Sequence, residues 1–203
     1  MTILGIILGA FCLTAFDYQI KTVKILPIDA YPARSSVGDI TIAADPYSTD
    51  EKSFSAFDYK RLNSQGYFPI HVIIQNNSKD FLIVRTLNIL LITADGQQLY
   101  TTPISVLVED LFKQSAKDKL SRDSSESGKV GSPLSDFSNK DLTNKLIYPG
   151  KASDGFLFFF TPEPKKNLFS GSTLFIPKLE VEGTHKSLGP FSIPLDPALS
   201  SSK

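Results

Sequence analysis

The strongest constraint on the fold is the stretch "HVIIQNNSKDFLIVRTLNILLITADGQQLY" (residues 71–100), in which two apolar runs flank a polar segment. In the first run the side chains alternate with a period of two, which is typical of a β-strand with one face in the core. The Asn and Asp residues of "NNSKD" favour a turn because their side chains hydrogen-bond to the local backbone. Two neighbouring strands are therefore predicted, and their inward face comprises Ile70, Val72, Ile74, Leu87, Ile89 and Leu91.

A β-hairpin is predicted to follow directly. Asp95-Gly96 suits a type I′ turn, whose twist matches that of two antiparallel strands, and "QQLYT" supplies the returning strand. Leu90 and Ile92 lie on the face opposite to the core, which indicates that this side of the sheet is partly covered as well.

Strand patterns recur elsewhere in the chain, at 20–26, 39–45, 155–161, 173–181 and 188–195. With the central runs they make about eight strands, a number typical of an immunoglobulin-like antiparallel β-sandwich. Three prolines, Pro177, Pro190 and Pro194, predict strand ends or sheet edges, because proline cannot donate to a neighbouring strand. The fold class is therefore predicted to be mainly β.

Helical patterns are confined to two regions. A short helix is predicted after residue 48, capped by Ser48, Thr49 or Asp50, with Phe54 and Phe57 on one face. A helical insertion is predicted at about 105–147. It comprises a helix over 105–120, a mobile Ser-rich loop over 121–133, and a helix over 134–146 that is anchored by Phe137, Leu142 and Leu146.

The N-terminal segment is apolar, since residues 1–16 contain no charged side chain. That length is typical of a signal peptide and short for a transmembrane helix; a retained anchor or a buried strand is the alternative. Cys12, the only cysteine, follows Phe11, where an acylation site needs a small residue, so Cys12 is interpreted as part of the apolar segment. The predicted division is a leader or anchor over 1–16, one domain over 17–197 and a frayed tail over 198–203.

The charge balance gives no sign of a polyanionic partner. Lys plus Arg and Asp plus Glu both number 21, so the net charge is zero and no nucleic-acid partner is expected. Contact with a membrane is expected only through the N-terminal segment.

No catalytic, metal or cofactor site is predicted. His71 and His185 have no second ligand at a recognised spacing, so both are interpreted as ordinary surface histidines. Nucleophile, zinc-protease and phosphate-loop motifs are absent from the sequence. The "DPYSTDE" segment (45–51) lacks the spacing of a calcium loop and is better explained by helix capping. Asn76-Asn77-Ser78 is a formal glycosylation sequon that is better interpreted as a turn.

One aromatic group is a candidate partner-binding surface. It comprises Tyr47, Tyr59, Tyr67 and Phe68. The alternative, which is favoured, is that these rings pack as a satellite core under a long loop.

The segments "ADPYSTDEK", "GYFPIHVIIQNNS", "LNILLITADGQ" and "LIYPGKASDGFLFF" occur in this order over about residues 44–160. In this order the chain resembles a group of uncharacterised exported bacterial proteins. The group has no assigned activity, so the resemblance implies export and an immunoglobulin-like sandwich, and no catalytic residue.

Two functions from different classes remain open. The expected one is a non-catalytic, exported cell-envelope protein, periplasmic or extracellular, that binds an unknown protein or glycan or serves assembly. The alternative is a hydrolase or glycan-processing enzyme, because sites of many kinds are grafted onto one fold. Its candidate carboxylates are Asp45, Asp50, Asp154 and Glu180.

Overall fold

The computed structural model of the protein describes residues 18–85, 88–120 and 131–200, apart from the side chains of 113–120 and 131–132. The predictions for residues 1–16, for Leu87 and for most of the loop over 121–133 lie outside this description. The described chain is mainly β, with 12 strands in three antiparallel sheets of four strands each. The strands are β1 (Arg34–Val37), β2 (Ile40–Pro46), β3 (Tyr67–Asn76), β4 (Leu82–Ile83), β5 (Leu90–Ile92), β6 (Gln98–Tyr100), β7 (Leu146–Ile147), β8 (Lys151–Phe160), β9 (Thr173–Ile176), β10 (Leu179–Val181), β11 (Ser187–Leu188) and β12 (Phe191–Pro194). The helices are α1 (Asp50–Ala56), α2 (Ile104–Leu120), α3 (Gly131–Lys140) and α4 (Asp196–Ser200), with a 3₁₀ turn at Ile28–Ala30.

The first sheet has the order β1-β2-β3-β8 and contains the two longest strands, β3 and β8. The predicted inward residues of β3, Ile70, Val72 and Ile74, are fully buried in one cluster with Ile89 and Leu91. The predicted adjacency of the two strands is wrong, because β3 and β5 belong to different sheets. The opposite face of β3 is buried too, because a second layer of the structure covers it. The alternation within β3 therefore identified one core face correctly, and only Leu90 and Ile92, in another strand, indicated cover on the opposite side.

The main core is shared by all three sheets. The other two sheets have the orders β11-β10-β4-β7 and β12-β9-β5-β6. Ile42, Leu82 and Ile176 each come from a different sheet and belong to one buried cluster. Each such side chain contributes roughly 1.5–3 kcal/mol of burial free energy, so this shared core is the main source of stability.

The hairpin β5–β6 pairs as predicted, with Leu91 opposite Leu99, but its turn differs from the prediction. A type I′ turn needs positive φ at both central residues. Here Gly96 has φ 81° and Asp95 has no positive φ. The Gly96 amide donates to Thr93 O at 2.8 Å and the Thr93 amide donates to Gln97 O at 2.9 Å. These contacts indicate a three-residue loop whose last residue, Gly96, has a left-handed backbone conformation. The Asp-Gly pair suits this loop as well as it suits a type I′ turn.

A second apolar cluster covers the outer face of the first sheet. It is built around Phe57, Phe137, Phe156 and Phe158, and the rings of Phe57 and Phe137 stack at 4.4 Å between centroids. α1 begins as predicted, because the Thr49 side chain accepts from the Lys52 amide. This layer joins α1 and the helical insertion to β8.

The predicted strand at 20–26 is wrong, because residues 18–27 form neither helix nor strand. The segment is held instead by side chains of the second layer. The Tyr18 hydroxyl donates to Asp136 at 2.7 Å, and the Gln19 amide donates to Asp58 at 3.0 Å. The Lys21 ammonium lies 3.0 Å from the centre of the half-buried Phe54 ring, so Phe54 and Phe57 do not share one buried face.

The insertion differs from its predicted bounds at its C-terminal end. α2 agrees with the predicted helix over 105–120, but α3 starts at Gly131 and stops at Lys140. Leu142 is buried beyond the helix, where Asp141 pairs with Phe156 of β8, and Leu146 belongs to β7, which pairs with β4.

Two C-terminal expectations also change. Pro177 and Pro190 divide each predicted long strand into two short ones, in agreement with strand ends at these prolines. In the predicted frayed tail over 198–203, residues 198–200 belong to α4, where Ala198 is buried, and residues 201–203 lie outside the described chain. Among the described residues, no helix has the length and apolar content needed to cross a bilayer.

Candidate functional site

The two ends of the helical insertion meet on one edge of β8. On the N-terminal side the Thr102 amide donates to Phe158 O at 2.7 Å. On the C-terminal side the Leu142 amide donates to Phe156 O at 3.1 Å. Residues 103–140 therefore leave the edge of β8 beside Phe158 and return to it beside Phe156. A gap remains between these two points of attachment.

This gap is a cleft of about 560 Å³, called here the junction cleft. Its floor is apolar and buried and consists of Ile104, Leu157 and Phe158. The remaining lining residues are Asn88, Tyr100, Thr101, Thr102, Pro103, Asp141 and Thr143. An apolar floor with a few polar groups at the rim is typical of pockets that take a small ligand or an anchoring side chain.

The floor also holds a backbone donor. In a strand the N–H and C=O of one residue point to the same side. Because Phe158 O accepts from the Thr102 amide at this edge, the Phe158 N–H points to the same edge, into the junction cleft.

A second cleft, of about 320 Å³, lies on the other side of Thr102. It is lined by Tyr67, Thr102, Val106, Glu109, Asp110 and Phe160. The Tyr67 hydroxyl donates to Asp110 at 2.9 Å. Burial and this hydrogen bond raise the pKa of Tyr67, so the phenol stays protonated at neutral pH and remains a donor to Asp110.

Each cleft is lined in part by exposed apolar side chains, Tyr100 in the junction cleft and Val106 and Phe160 in the second cleft. Tyr100 is 61% exposed, Val106 53% and Phe160 39%. We call the two clefts and these three side chains the junction surface.

Comparisons with known proteins assign no function to this site. No family model matches the chain, and no curated protein matches it. Among solved structures, the chain is similar to the yjhA protein from Bacillus subtilis, at 12% identity and a TM-score of 0.40 over 72% of this chain and 79% of that one. It is also similar to a functionally unknown protein from Listeria monocytogenes EGD-e, at 14% identity and a TM-score of 0.38 over 79% of each chain. Likenesses this distant say nothing about activity.

The predicted aromatic surface is not formed. Tyr47, Tyr67 and Phe68 are buried and Tyr59 is half-buried. Tyr47 packs against Phe156 with 5.1 Å between ring centroids, whereas Phe68 belongs to the main core on the opposite side of the sheet. The alternative of core packing describes these four residues, since Tyr47, Tyr59 and Tyr67 belong to the second apolar cluster and Phe68 to the main core.

His71 is not the surface histidine that was predicted. It is 1% exposed, and its ring stacks on Phe156 at 4.6 Å with an interplanar angle of 17°. Its Nε2 lies 2.8 Å from Asp154 Oδ2. His185, by contrast, is exposed after a turn, as expected.

Burial alone would raise the pKa of Asp154. The hydrogen bond with His71 and the electrostatic interactions with His71 and Lys145 outweigh that effect and hold the pKa below its usual value. The carboxylate therefore stays ionised at neutral pH and fixes the buried imidazole.

The four candidate carboxylates do not form one site. Asp45 lies directly opposite His71 in the sheet and pairs with Lys52 at 2.6 Å, near the His71–Asp154 pair. Asp50 accepts from the Asn63 amide at 2.7 Å and fixes a turn. Glu180 lies on another sheet, in β10. Among the described residues, no group of three His, Cys, Asp or Glu side chains could hold a metal ion.

Of the residues of the junction surface, only Tyr67 was among the predicted candidates. A "TTP" sequence before an apolar-periodic run marks a helix start, and this signal draws attention to Thr102. Asp141 lies far along the chain, and only the pairing of both segments with β8 brings it to the same cleft.

Proposed function

We propose that the protein is a non-catalytic binding or assembly module of the cell envelope that holds its partner at the junction surface. The observation that carries the proposal is the junction cleft, which combines a buried apolar floor with a polar rim and exposed apolar neighbours. Monomeric proteins seldom expose contiguous apolar area without an interaction that uses it.

Export is part of the proposal and rests on the uncharged segment over residues 1–16. Cleavage near residue 15 would leave intact the contacts of Tyr18 and Gln19, which hold the start of the described chain on the second layer. N-terminal sequencing of the protein from envelope fractions tests this part. A cytosolic chain with an intact N-terminus would contradict it.

An immunoglobulin-like sandwich is the architecture we propose for the β-domain. In support, the first sheet and the sheet β12-β9-β5-β6 contribute to one core, and β1 contacts β12 along one side. Such sandwiches present loops and insertions at their ends, where binding residues are found.

The second candidate function is hydrolysis, and the His71–Asp154 pair is the observation that favours it. A carboxylate that orients an imidazole is a common general-base arrangement. The imidazole is 1% exposed and stacked under Phe156, so a substrate would need another route to it, and this candidate ranks second. Turnover of ester or glycoside substrates that disappears with Asp154→Asn would favour hydrolysis over binding.

Site-specific photo-cross-linking in cells tests the binding proposal. A photoreactive residue at position 100, on the junction surface, is compared with one at position 148. Tyr148 is a matched control because it is 56% exposed and lies outside both clefts. We expect a discrete adduct from position 100 that is lost when Thr102→Arg blocks both clefts. Equal labelling from both positions, or no adduct from position 100, would contradict the proposal.

A further inference from the structure

We infer that the partner segment at the junction surface is a basic peptide stretch that carries a large apolar side chain, and that this side chain occupies the junction cleft. The inference rests on the proposed binding function and adds the chemical class of the partner.

The apolar requirement follows from the floor of the cleft. Ile104, Leu157 and Phe158 are buried side chains that meet no water except through the opening. A cleft of about 560 Å³ has room for a large side chain and the backbone on either side of it. Buried anchors of this kind supply most of the binding free energy at protein interfaces.

The basic requirement follows from the lining charges. Asp141 lines the junction cleft, and Asp110 lines the second cleft. In the part of the chain that the structure describes, neither cleft is lined by Lys, Arg or His. The Thr143 amide donates to Asp141 at 3.2 Å and the Tyr67 hydroxyl donates to Asp110, and such neutral donors orient a carboxylate without cancelling its charge. The described lining of the two clefts is therefore acidic.

The peptide requirement follows from the backbone donor. The Phe158 N–H at the floor can donate to a main-chain carbonyl of an extended segment, as in recognition by strand addition. Val106 and Phe160 flank the second cleft and can contact the next apolar side chain of such a segment. A glycan stacked on the exposed ring of Tyr100 would leave the apolar floor unused, so a peptide fits the surface better.

Fluorescence anisotropy with synthetic peptides tests the inference. The full chain, purified as the cell processes it, is titrated against a labelled Gly/Ser-rich peptide with a central Phe between lysines. Three relatives of the probe carry Glu for Lys, Gln for Lys, or Ala for Phe. We expect the Lys–Phe peptide to bind and the Glu version to bind at least about tenfold more weakly, because like charges then face each other. Affinity for the Lys–Phe peptide should also fall as salt is added.

Variants of the chain locate the binding. Combining Asp110→Asn with Asp141→Asn should weaken the Lys–Phe peptide about fivefold and flatten its salt dependence, as the loss of two exposed charge pairs would. Tyr100→Ala should weaken the peptide with Phe more than the peptide with Ala. Asp29→Asn and Tyr148→Ala are the matched controls, because these residues are exposed and lie outside both clefts. Circular dichroism of each variant confirms that the fold is retained.

Equal affinity for the Lys and Glu peptides would overturn the inference. So would an affinity for the Lys–Phe peptide that stays unchanged in the variants of Asp110, Asp141 and Tyr100. Binding of a neutral oligosaccharide that depends on Tyr100, without binding of any peptide, would also overturn it. The cross-link from position 100 separates this failure from failure of the proposed function. If the cross-link persists, only the class of partner is wrong; if it is absent as well, the binding function falls too.

Discussion

His71 gives the fold a buried titratable group between two packed layers. Its ring lies on Phe156, and the only charged side chain within hydrogen-bond distance of its Nε2 in the described chain is Asp154. The His71 side chain is 1% exposed and that of Asp154 is 29% exposed, so the buried imidazole is paired with a carboxylate that solvent reaches. A buried polar ring needs such a partner because an unsatisfied one is costly.

The first prediction concerns this pair. Asp154→Asn should destabilise the protein by roughly 1–3 kcal/mol at neutral pH, because it removes the charged acceptor of a buried imidazole. The pKa of Asp154 is lower in the folded chain than in the unfolded chain. The ionised carboxylate therefore stabilises the fold above the unfolded pKa of about 3.9, and this contribution is lost as the pH falls through the folded pKa.

Urea unfolding of the wild type and the variant at about pH 7 and about pH 2.5 measures this dependence. The difference in the free energy of unfolding should shrink at the lower pH. An unchanged difference would show that Asp154 does not titrate with folding.

The second prediction concerns Gly155, which faces the segment after α3. A Cβ at this position would lie 2.8 Å from Leu142 Cα and 2.9 Å from Leu142 N, closer than packed atoms allow. Gly155→Ala should therefore displace Leu142 from β8, destabilise the protein by roughly 1–3 kcal/mol and weaken binding at the junction cleft. Thermal unfolding and peptide titration measure the two effects. Ser153→Ala on the same strand is the control, and equal behaviour of the two variants would contradict the close packing.

At the scale of elements, local signals predicted local structure. The Thr49 cap, the turn at Asn76–Ser78 and the hairpin β5–β6 depend on neighbouring residues and could be predicted from sequence. The bounds of α3 could not. The apolar spacing of Phe137 and Leu142 suits a helix, yet the backbone of Leu142 pairs with β8, and that long-range contact overrides the local pattern.

The third prediction concerns the link between α2 and α3. Residues 121–130 include only one aliphatic residue, Val130, so ordering them would bury little apolar area. α3 is held by other contacts, since Phe137 is buried and Lys140 Nζ donates to Ala56 O at 2.7 Å. Replacing 121–130 by a few Gly and Ser should change Tm by less than about 3 °C, because closure entropy varies slowly with loop length. Thermal unfolding measures this change, and a variant that fails to fold would show that the link is packed.

At the scale of the whole molecule, the mainly β class of the fold could be predicted from the sequence, whereas the junction cleft could not. Alternating strands and the one helical insertion predicted a mainly β chain. The division into three sheets depends on which strands pair, and Glu180 and Ile83, for example, are neighbours only through such a pairing. The junction cleft has the same origin, because it exists only where Thr102 and Asp141 reach one edge of β8. The four aromatic residues considered as a surface are instead divided between the two cores, with Phe68 in the main core and the three tyrosines in the second cluster.

Amide hydrogen exchange tests most directly whether the junction surface is where the protein binds. Exchange is measured by mass spectrometry for the chain in isolated envelopes and for the purified chain. We expect slower exchange in the envelope at residues 100–104, at 141–143 and at the Phe158 amide, and unchanged exchange around Phe81 and Tyr148, which form an exposed aromatic pair elsewhere. Protection around Phe81 and Tyr148 with none at the junction surface would contradict the account.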